Sequence, residues 1–327
     1  MAPLIADVRQ PAWTSRLHRK LVRWRSPAVD APCPVLIPLH EFSERTSVGQ
    51  ATARGRLDVV PRPMTAFRRD LNLLRELSLT QFKLKYTGSI LGYLWSLFKP
   101  AMLFGIMYLI FAKLLGAGKG SVDFPVQLLV GIVVWTFFVE ATSTAMNSVA
   151  AAGGLILKAY FPRWILVLAS TLTALLTFLI NAVLILVITV PLGQMHLGLR
   201  SLAAPLLILE LLMFIIGLAL LLSSLFVFFR DLGHIWEILT LVLFYGSGIV
   251  FPITLLAKHR DLQTLVGLNP VYQIVEDLRH ALVTPTVPWM TQILGGLYVV
   301  PLLAVGITFA LGVFVFTRLT PRFAEYV

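Results

Sequence analysis

The chain has 327 residues, of which 57% are hydrophobic and 13% charged, and its mean hydropathy is +0.84. A soluble chain of this length has too little interior for so much apolar side chain, so a water-soluble globule is excluded and a polytopic membrane protein is implied. The formal net charge of +11 then marks span-flanking segments and contacts with anionic lipid rather than nucleic-acid binding, and the single cysteine, Cys33, excludes an internal disulfide framework.

Residues 1–63 hold no apolar run long enough to span and scatter Arg, Lys and several prolines (among them Pro11, Pro27, Pro32, Pro34 and Pro38) through polar sequence. They read as a flexible cytoplasmic extension, with a motif-bearing tail as the alternative. They do not read as a secretory signal, because no uninterrupted apolar core precedes a small-residue cleavage site. Met64 stands where the organised sequence begins and is a candidate initiator.

From Phe67 the pattern changes. Phe67, Leu71, Leu74, Leu77 or Ser78, and Phe82 recur at helical spacing, with Arg68, Arg69, Arg75, Lys83 and Lys85 around them. This predicts an amphipathic helix in the membrane interface, with its linker covering residues 64–92. Gly88 and Gly92 loosen the backbone, and Tyr93 and Trp95 supply interfacial aromatics. A surface helix feeding straight into a span can transmit a push from outside the bilayer; a simple anchor is the alternative.

Residues 93–327 form the membrane domain, and six helices of about 20 residues each fit it. Their expected limits are about Trp95 to Leu115, Pro125 to Asn147, Trp164 to Val190, Leu202 to Phe228, His234 to Leu255 and Ile293 to Thr317. The fold class is therefore all-α. Basic residues of the interface helix, Lys158 with Arg163, Arg230, and Arg318 with Arg322 fall on the N-terminal side, so both termini are expected in the cytoplasm.

Between the fifth and sixth spans, Leu268 to Val283 predicts a helix opened by Asn269-Pro270. Val271, Ile274, Val275, Leu278 and Leu282 form one apolar face, with Glu276, Asp277, Arg279 and His280 elsewhere. A short re-entrant helix in the outer leaflet is expected, with an external surface helix as the alternative. Glu140 and Glu210 are ionisable groups inside spans, hence functional candidates by default. Glu140 has Thr142, Ser143 and Thr144 to hydrogen-bond it, or else faces a channel; Glu210 comes early from the outer side, within reach of headgroups.

The run Gly116 to Ser121 invites a phosphate-loop reading, but Gly118-Lys119 is followed by Gly120 rather than Ser or Thr, and no strand precedes it. It reads as a turn. No His pair, carboxylate dyad or Cys/His cluster has metal or catalytic spacing, so no catalytic residue, metal or cofactor is expected on this chain.

Four motifs stand in order on this layout: KYTGSILGYLWSLFKPA (Lys85 to Ala101), LKAYFPR (Leu157 to Arg163), RDLGHIWE (Arg230 to Glu237) running on to SGIVFPI (Ser247 to Ile253), and LNPVYQIVEDLRHAL (Leu268 to Leu282). With them the chain from about Phe67 to Arg322 resembles the membrane subunit of ABC exporters of lipid-linked polysaccharide, a group that includes O-antigen, teichoic-acid and mycobacterial galactan exporters, and is most similar to the galactan type. The resemblance implies a homodimer with two copies of a separate nucleotide-binding subunit, which carries the ATP and Mg. It implies contacts with that subunit through Arg68, Arg75, Leu157, Lys158, Tyr160, Phe161 and Arg163. It implies aromatic side chains along the sugar path, for which Tyr93, Trp95, Phe98, Phe104, Tyr108, Phe244 and Tyr245 are candidates, and an outer gate at Asn269, Pro270, Glu276 and Arg279. Aromatic rings suit such cargo because a sugar's C–H face slides over a ring without fixing register. Each ring could equally be a lipid-facing anchor or a packing contact. A small-molecule or drug exporter shares the layout and is the alternative function. A secondary transporter lacks its inverted repeat, and a membrane glycosyltransferase lacks its outer acidic pair.

Overall fold

The computed structural model describes residues 63–87, 92–114, 116, 123–156, 162–195, 198–246 and 259–323. Among them, five helices are long and apolar enough to cross a membrane: Leu94–Leu114, Phe124–Ala151, Trp164–Thr189, Leu199–Phe228 and Met290–Arg322. They coincide with the first four and the last of the expected spans. The expected fifth span is described over its first part, the apolar helix Leu232–Gly246.

In chain order the helices are α1 (Pro63–Tyr86), α2 (Leu94–Tyr108, continuing as a π-type turn Leu109–Leu114), α3 (Phe124–Ala151), α4 (Trp164–Thr189), α5 (Ala204–Phe228), α6 (Leu232–Gly246), α7 (Arg260–Gly267), α8 (Pro270–Leu282), α9 (Met290–Leu294) and α10 (Val299–Leu319). The central helix is α3, which packs against α2, α4, α5, α6 and α8. Phe138, Ala141 and Ala145 are among its buried residues, and Ile132 and Val149 are fully enclosed.

Contacts divide the bundle into two ends. At one end, Val149 of α3, Val167 of α4, Val227 of α5 and Phe316 of α10 cluster with Phe323. There Arg163 donates to the carbonyl of Thr320 and its guanidinium lies 5.8 Å from the Phe323 ring centre. The interface helix α1 joins this end: Leu74 packs on Ile165 and Ala169 of α4. Residues Ser170 and Thr173 of α4 point hydroxyls at Gln81, and Thr173 also bonds the Ser78 carbonyl at 3.1 Å. The expected apolar stripe of α1 is thereby split, because Leu74 and Ser78 face α4 while Phe67 and Leu71 face outward. At the opposite end lie the starts of α3, α5 and α10, with α8 wedged among them. Helix α5 finishes at the first end, and α8 lies at the second.

Helices α5 and α10 approach closely through two glycines. A Cβ at Gly312 would stand 2.0 Å from the Gly217 carbonyl oxygen, and one at Gly217 would stand 2.5 Å from the Phe309 Cα. Small residues at such a crossing let two backbones meet where no side chain fits.

Helix α8 differs from the half-covered amphipathic helix that its periodicity suggests. Every residue from Val271 to Ala281 is buried, the charged ones included. Its apolar side enters the main core, and its polar side is enclosed equally by α3, α5 and the start of α10.

Candidate functional site: a cleft beside the first span

A cleft of about 670 Å³ is bounded by the end of α1 and by α2, α3 and α4. Its α3 wall is mixed: Val133, Trp135, Phe137 and Val139 line it together with Thr136, Glu140, Ser143 and Thr144. Thr136, Glu140, Ser143, Thr144 and Asn147 recur at helical spacing and are half-buried or exposed, whereas the other side of α3 is core. Thr136, Thr144 and Asn147 donate to carbonyls one turn back, so each carries its own hydrogen bond and still presents acceptor oxygen outward. A polar row of this kind against lipid tails is unfavourable, because hydrocarbon offers polar groups no partner.

Glu140 sits eleven residues before the end of α3, about 16 Å along the helix. Lys85, at the end of α1, forms an ion pair with it and also reaches the Thr177 hydroxyl of α4 at 3.3 Å. The neighbouring hydroxyls do not bond this carboxylate: Thr142 donates to Phe138 O at 2.8 Å and Thr144 to Glu140's own backbone oxygen at 2.7 Å. The partner of Glu140 is thus a cation on another helix, which sequence proximity did not point to. Thr142 instead accepts from the Trp236 indole of α6 at 3.2 Å, tying α6 to α3.

The α2 wall carries Trp95, Ser96, Lys99 and Leu103. Pro100 lies inside α2, so the Ser96 carbonyl one turn back lacks its helical donor. Asn181 of α4 supplies the missing N–H from its side chain, at 3.2 Å. Its own oxygen is buried with no hydrogen-bond partner among the described residues. Lys99 makes no ion pair or hydrogen bond among them either.

The aromatic candidates separate into groups. Tyr93, Trp95 and Phe98 are about half exposed on α2, with Trp95 and Phe98 edge to face at 5.4 Å. Tyr93 stacks on Phe82 and leans on Tyr86, closing the aromatic end of α1. Phe104 and Tyr108 stack at 5.8 Å and are half-buried against the core. Phe244 is buried against Trp135 and presents no outward face, while Tyr245 beside it is 55% exposed.

Of the expected contacts with an ATPase subunit, Arg68 and Arg75 are exposed on α1, and Arg163 is held by Thr320 and Phe323. Leu157, Lys158, Tyr160 and Phe161 lie outside the described residues, as do Ser247 to Ile253 and residues 1–62. Of the expected gate residues, Asn269 caps α8, accepting from the Val271 N–H at 3.0 Å, and Pro270 occupies the first helical turn. Glu276 and Arg279 are fully enclosed and paired at 2.6 Å, with Arg279 Nε also donating to the Gln127 carbonyl of α3. Glu210 does not reach outward for headgroups. It faces Gln273 of α8, whose amide donates to Asp277 at 3.0 Å and to Tyr298 at 2.8 Å.

The sequence signature of the ABC-2 type transporter matches residues 72–283, more than half of the chain. The chain belongs to the ABC-2 type transporter family. An O-antigen export system permease protein RfbA of Klebsiella pneumoniae is 25% identical over 255 residues, covering 78% of this chain and 94% of the relative. The RfbA permease of Myxococcus xanthus is 26% identical over 203 residues, covering 62% of this chain and 77% of its own length. As an ABC-2 transporter the chain is the transmembrane component, a multi-pass membrane protein, and membership implies a partnering ATPase subunit. The matched region includes all four walls of the cleft.

Proposed function

We propose that this chain is the channel-forming subunit of an ATP-driven exporter of lipid-linked polysaccharide, with galactan as the finer reading of its cargo. It works as a homodimer with two copies of a nucleotide-binding subunit that hold ATP and Mg, and both termini lie in the cytoplasm. The observation that carries the reading is the α3 row Thr136, Glu140, Ser143 and Thr144 sharing the cleft with Trp95 of α2. Sugar hydroxyls find acceptors in Glu140, Ser143 and Thr144, while sugar C–H faces find Trp95. Contacts of that kind are weak and repeated, as conduction of a long chain requires. The export names carried by the relatives support the same reading.

The power stroke enters through α1. Its exposed Arg68 and Arg75 face the aqueous side, and its far end is fastened to α3 and α4 through Lys85. A push on α1 therefore moves the cleft wall directly. Asn269, Pro270, Glu276 and Arg279 hold the opposite end closed through α8.

The test is reconstitution of the chain with its ATPase subunit in proteoliposomes loaded with lipid-linked polysaccharide. Thr144→Leu with Trp95→Ala should lower ATP-dependent export at least tenfold. Uphill movement of cargo by this chain without an ATPase overturns the reading.

A further inference from the structure

Where α8 meets α5 and the start of α10, acceptors outnumber donors. Asp277 has both oxygens taken: Oδ1 accepts from the Met290 N–H at 2.8 Å, and Oδ2 accepts from the Gln273 amide at 3.0 Å and the Tyr298 hydroxyl at 3.1 Å. The Gln273 amide also donates to the Tyr298 oxygen at 2.8 Å. Each of these donors is then spent. Two enclosed oxygens remain without a partner among the described residues, Oε1 of Gln273 and Oε1 of Glu210, and these two side chains face each other. Gln273 is completely buried, so bulk water does not supply the missing donor. Turning its amide over does not mend this. Glu210 would gain an N–H, but Gln273 Oε1 and Asp277 Oδ2, both acceptors, would then stand 3.0 Å apart. In either orientation the cluster is one hydrogen short. Two oxygens do not make a metal site, since hard cations take about six or more, and no three His, Cys, Asp or Glu among the described residues are placed to hold one. A proton needs only two.

We propose that Glu210 binds a proton and donates it to Gln273 Oε1, and that this hydrogen bond clasps α8 to α5. Asp277, with three donors on it, is the carboxylate that stays charged. Protonation of Glu210 pairs both stranded oxygens and avoids a second anion beside Asp277. No neighbouring cation takes its place. Arg279 is held by Glu276 and the Gln127 carbonyl, with Tyr272 beside that pair, and His280 by the Val287 carbonyl and the Trp289 ring. Arg200, in the turn before α5, is exposed and forms no ion pair among the described residues. Helix α4 carries no ionisable side chain, Tyr245 of α6 is exposed, and Glu140 of α3, His234 and Glu237 of α6 and Arg318 of α10 sit toward the other end. The proton exchanges with the aqueous phase. Losing it sets two anions on either side of one amide, and α8 loosens from α5. Neither step depends on what the cleft carries.

The experiment uses the full chain in phosphatidylcholine nanodiscs, without the ATPase. Infrared spectra read the C=O stretch of a protonated carboxylic acid, and hydrogen–deuterium exchange, corrected for intrinsic rate, reads α8. At neutral pH the wild type should show a protonated-acid band that shifts when glutamate, but not aspartate, carries carbon-13. Glu210→Gln should remove that band. Its amide donates to Gln273 Oε1 as the acid does, so α8 stays clasped. Exchange of α8 should therefore rise at least fivefold from neutral to alkaline pH in the wild type and less than twofold in Glu210→Gln. Glu210→Ala should exchange at the fast rate at both pH values. Absence of a glutamate band in the wild type overturns the proposal, as does a band that shifts with aspartate instead or one that persists in a folded Glu210→Gln protein. An α8 that ignores pH in the wild type, or responds equally in Glu210→Gln, overturns the clasp. The isotope shift is read on the unmutated chain, so a Glu210→Gln protein that fails to fold still leaves the proton assignment decided.

Discussion

Asn181 of α4 donates its side-chain amide to the carbonyl of Ser96, the group that Pro100 leaves without a helical donor in α2. One residue breaks the ladder of the first span, and a residue 85 positions away repairs it. The first span is otherwise covered sparsely by the rest of the protomer, so this bond is a principal tie between α2 and α4.

Asn181→Leu should therefore destabilise the protein by about 1–3 kcal/mol, the usual cost of a buried polar group left unpaired. The same change in a Pro100→Ala background should cost clearly less, because an alanine at that position restores the backbone N–H that Ser96 needs. A double-mutant cycle on thermal unfolding in detergent checks this, and a coupling energy near zero would show that the bond contributes nothing.

Lys85 and Glu140 give a second cycle. Lys85→Glu and Glu140→Lys should each uncouple ATP hydrolysis from export, since either one turns an attraction between α1 and α3 into repulsion. The double swap should recover a substantial part of coupled transport. Each side chain keeps about a third of its surface exposed, so the stability effect should stay near 1 kcal/mol while the transport effect is larger. The ratio of cargo moved to ATP hydrolysed is the measurement.

What the sequence made legible follows from which signals are local. The spans were readable because apolar length is a property of contiguous residues, and the π-type turn after α2 left the limits of the first span unaffected. The cap of α8 was readable for the same reason, with Asn269 and Pro270 standing at its start. The enclosure of α8 was not readable. Periodicity says that Glu276, Asp277 and Arg279 share a side of a helix, but the atoms covering that side come from Gln127, Glu210 and Tyr298, far along the chain. Glu140 shows the same limit: three hydroxyls lie beside it in sequence, yet among the described residues the bonding to its carboxylate comes from Lys85 on α1. Phe244 looked like a channel ring because aromatic identity was visible and its burial against Trp135 was not.

The crossing of α5 and α10 gives a prediction about shape alone. Gly312→Ala places a methyl 2.0 Å from a carbonyl oxygen, and Gly217→Ala places one 2.5 Å from backbone. In neither case is the obstacle a movable side-chain tip, so the helices must separate. Each change should cost about 1–3 kcal/mol, and Gly306→Ala, whose Cβ meets nothing within 4 Å, should cost far less. Thermal denaturation of the three variants in one detergent decides it.

Around α8 the polar groups make a prediction about both mutation and pH. Glu276 and Arg279 form a fully enclosed pair, so Arg279→Met should cost about 3–5 kcal/mol by stranding the carboxylate, while Glu276→Gln with Arg279→Met should recover part of that loss. Asp277 is a different case, because no cation contacts its carboxylate among the described residues; it accepts from the Met290 N–H, the Gln273 amide and the Tyr298 hydroxyl. Burial pushes its carboxyl above the ordinary 3.8, and those three donors together with the nearby His280 offset only part of the rise. An acid whose folded value is raised binds more protons folded than unfolded, so its contribution is fully present in acid and is lost as pH climbs from 3.8 through the raised value. Thermal stability of the wild type should accordingly fall across that window. Asp277→Asn keeps an acceptor for Met290 and removes the titration, so its stability curve should be flatter over the same range. Parallel curves for the two proteins would mean that Asp277 stays ionised in the folded state, and that its three donors outweigh burial.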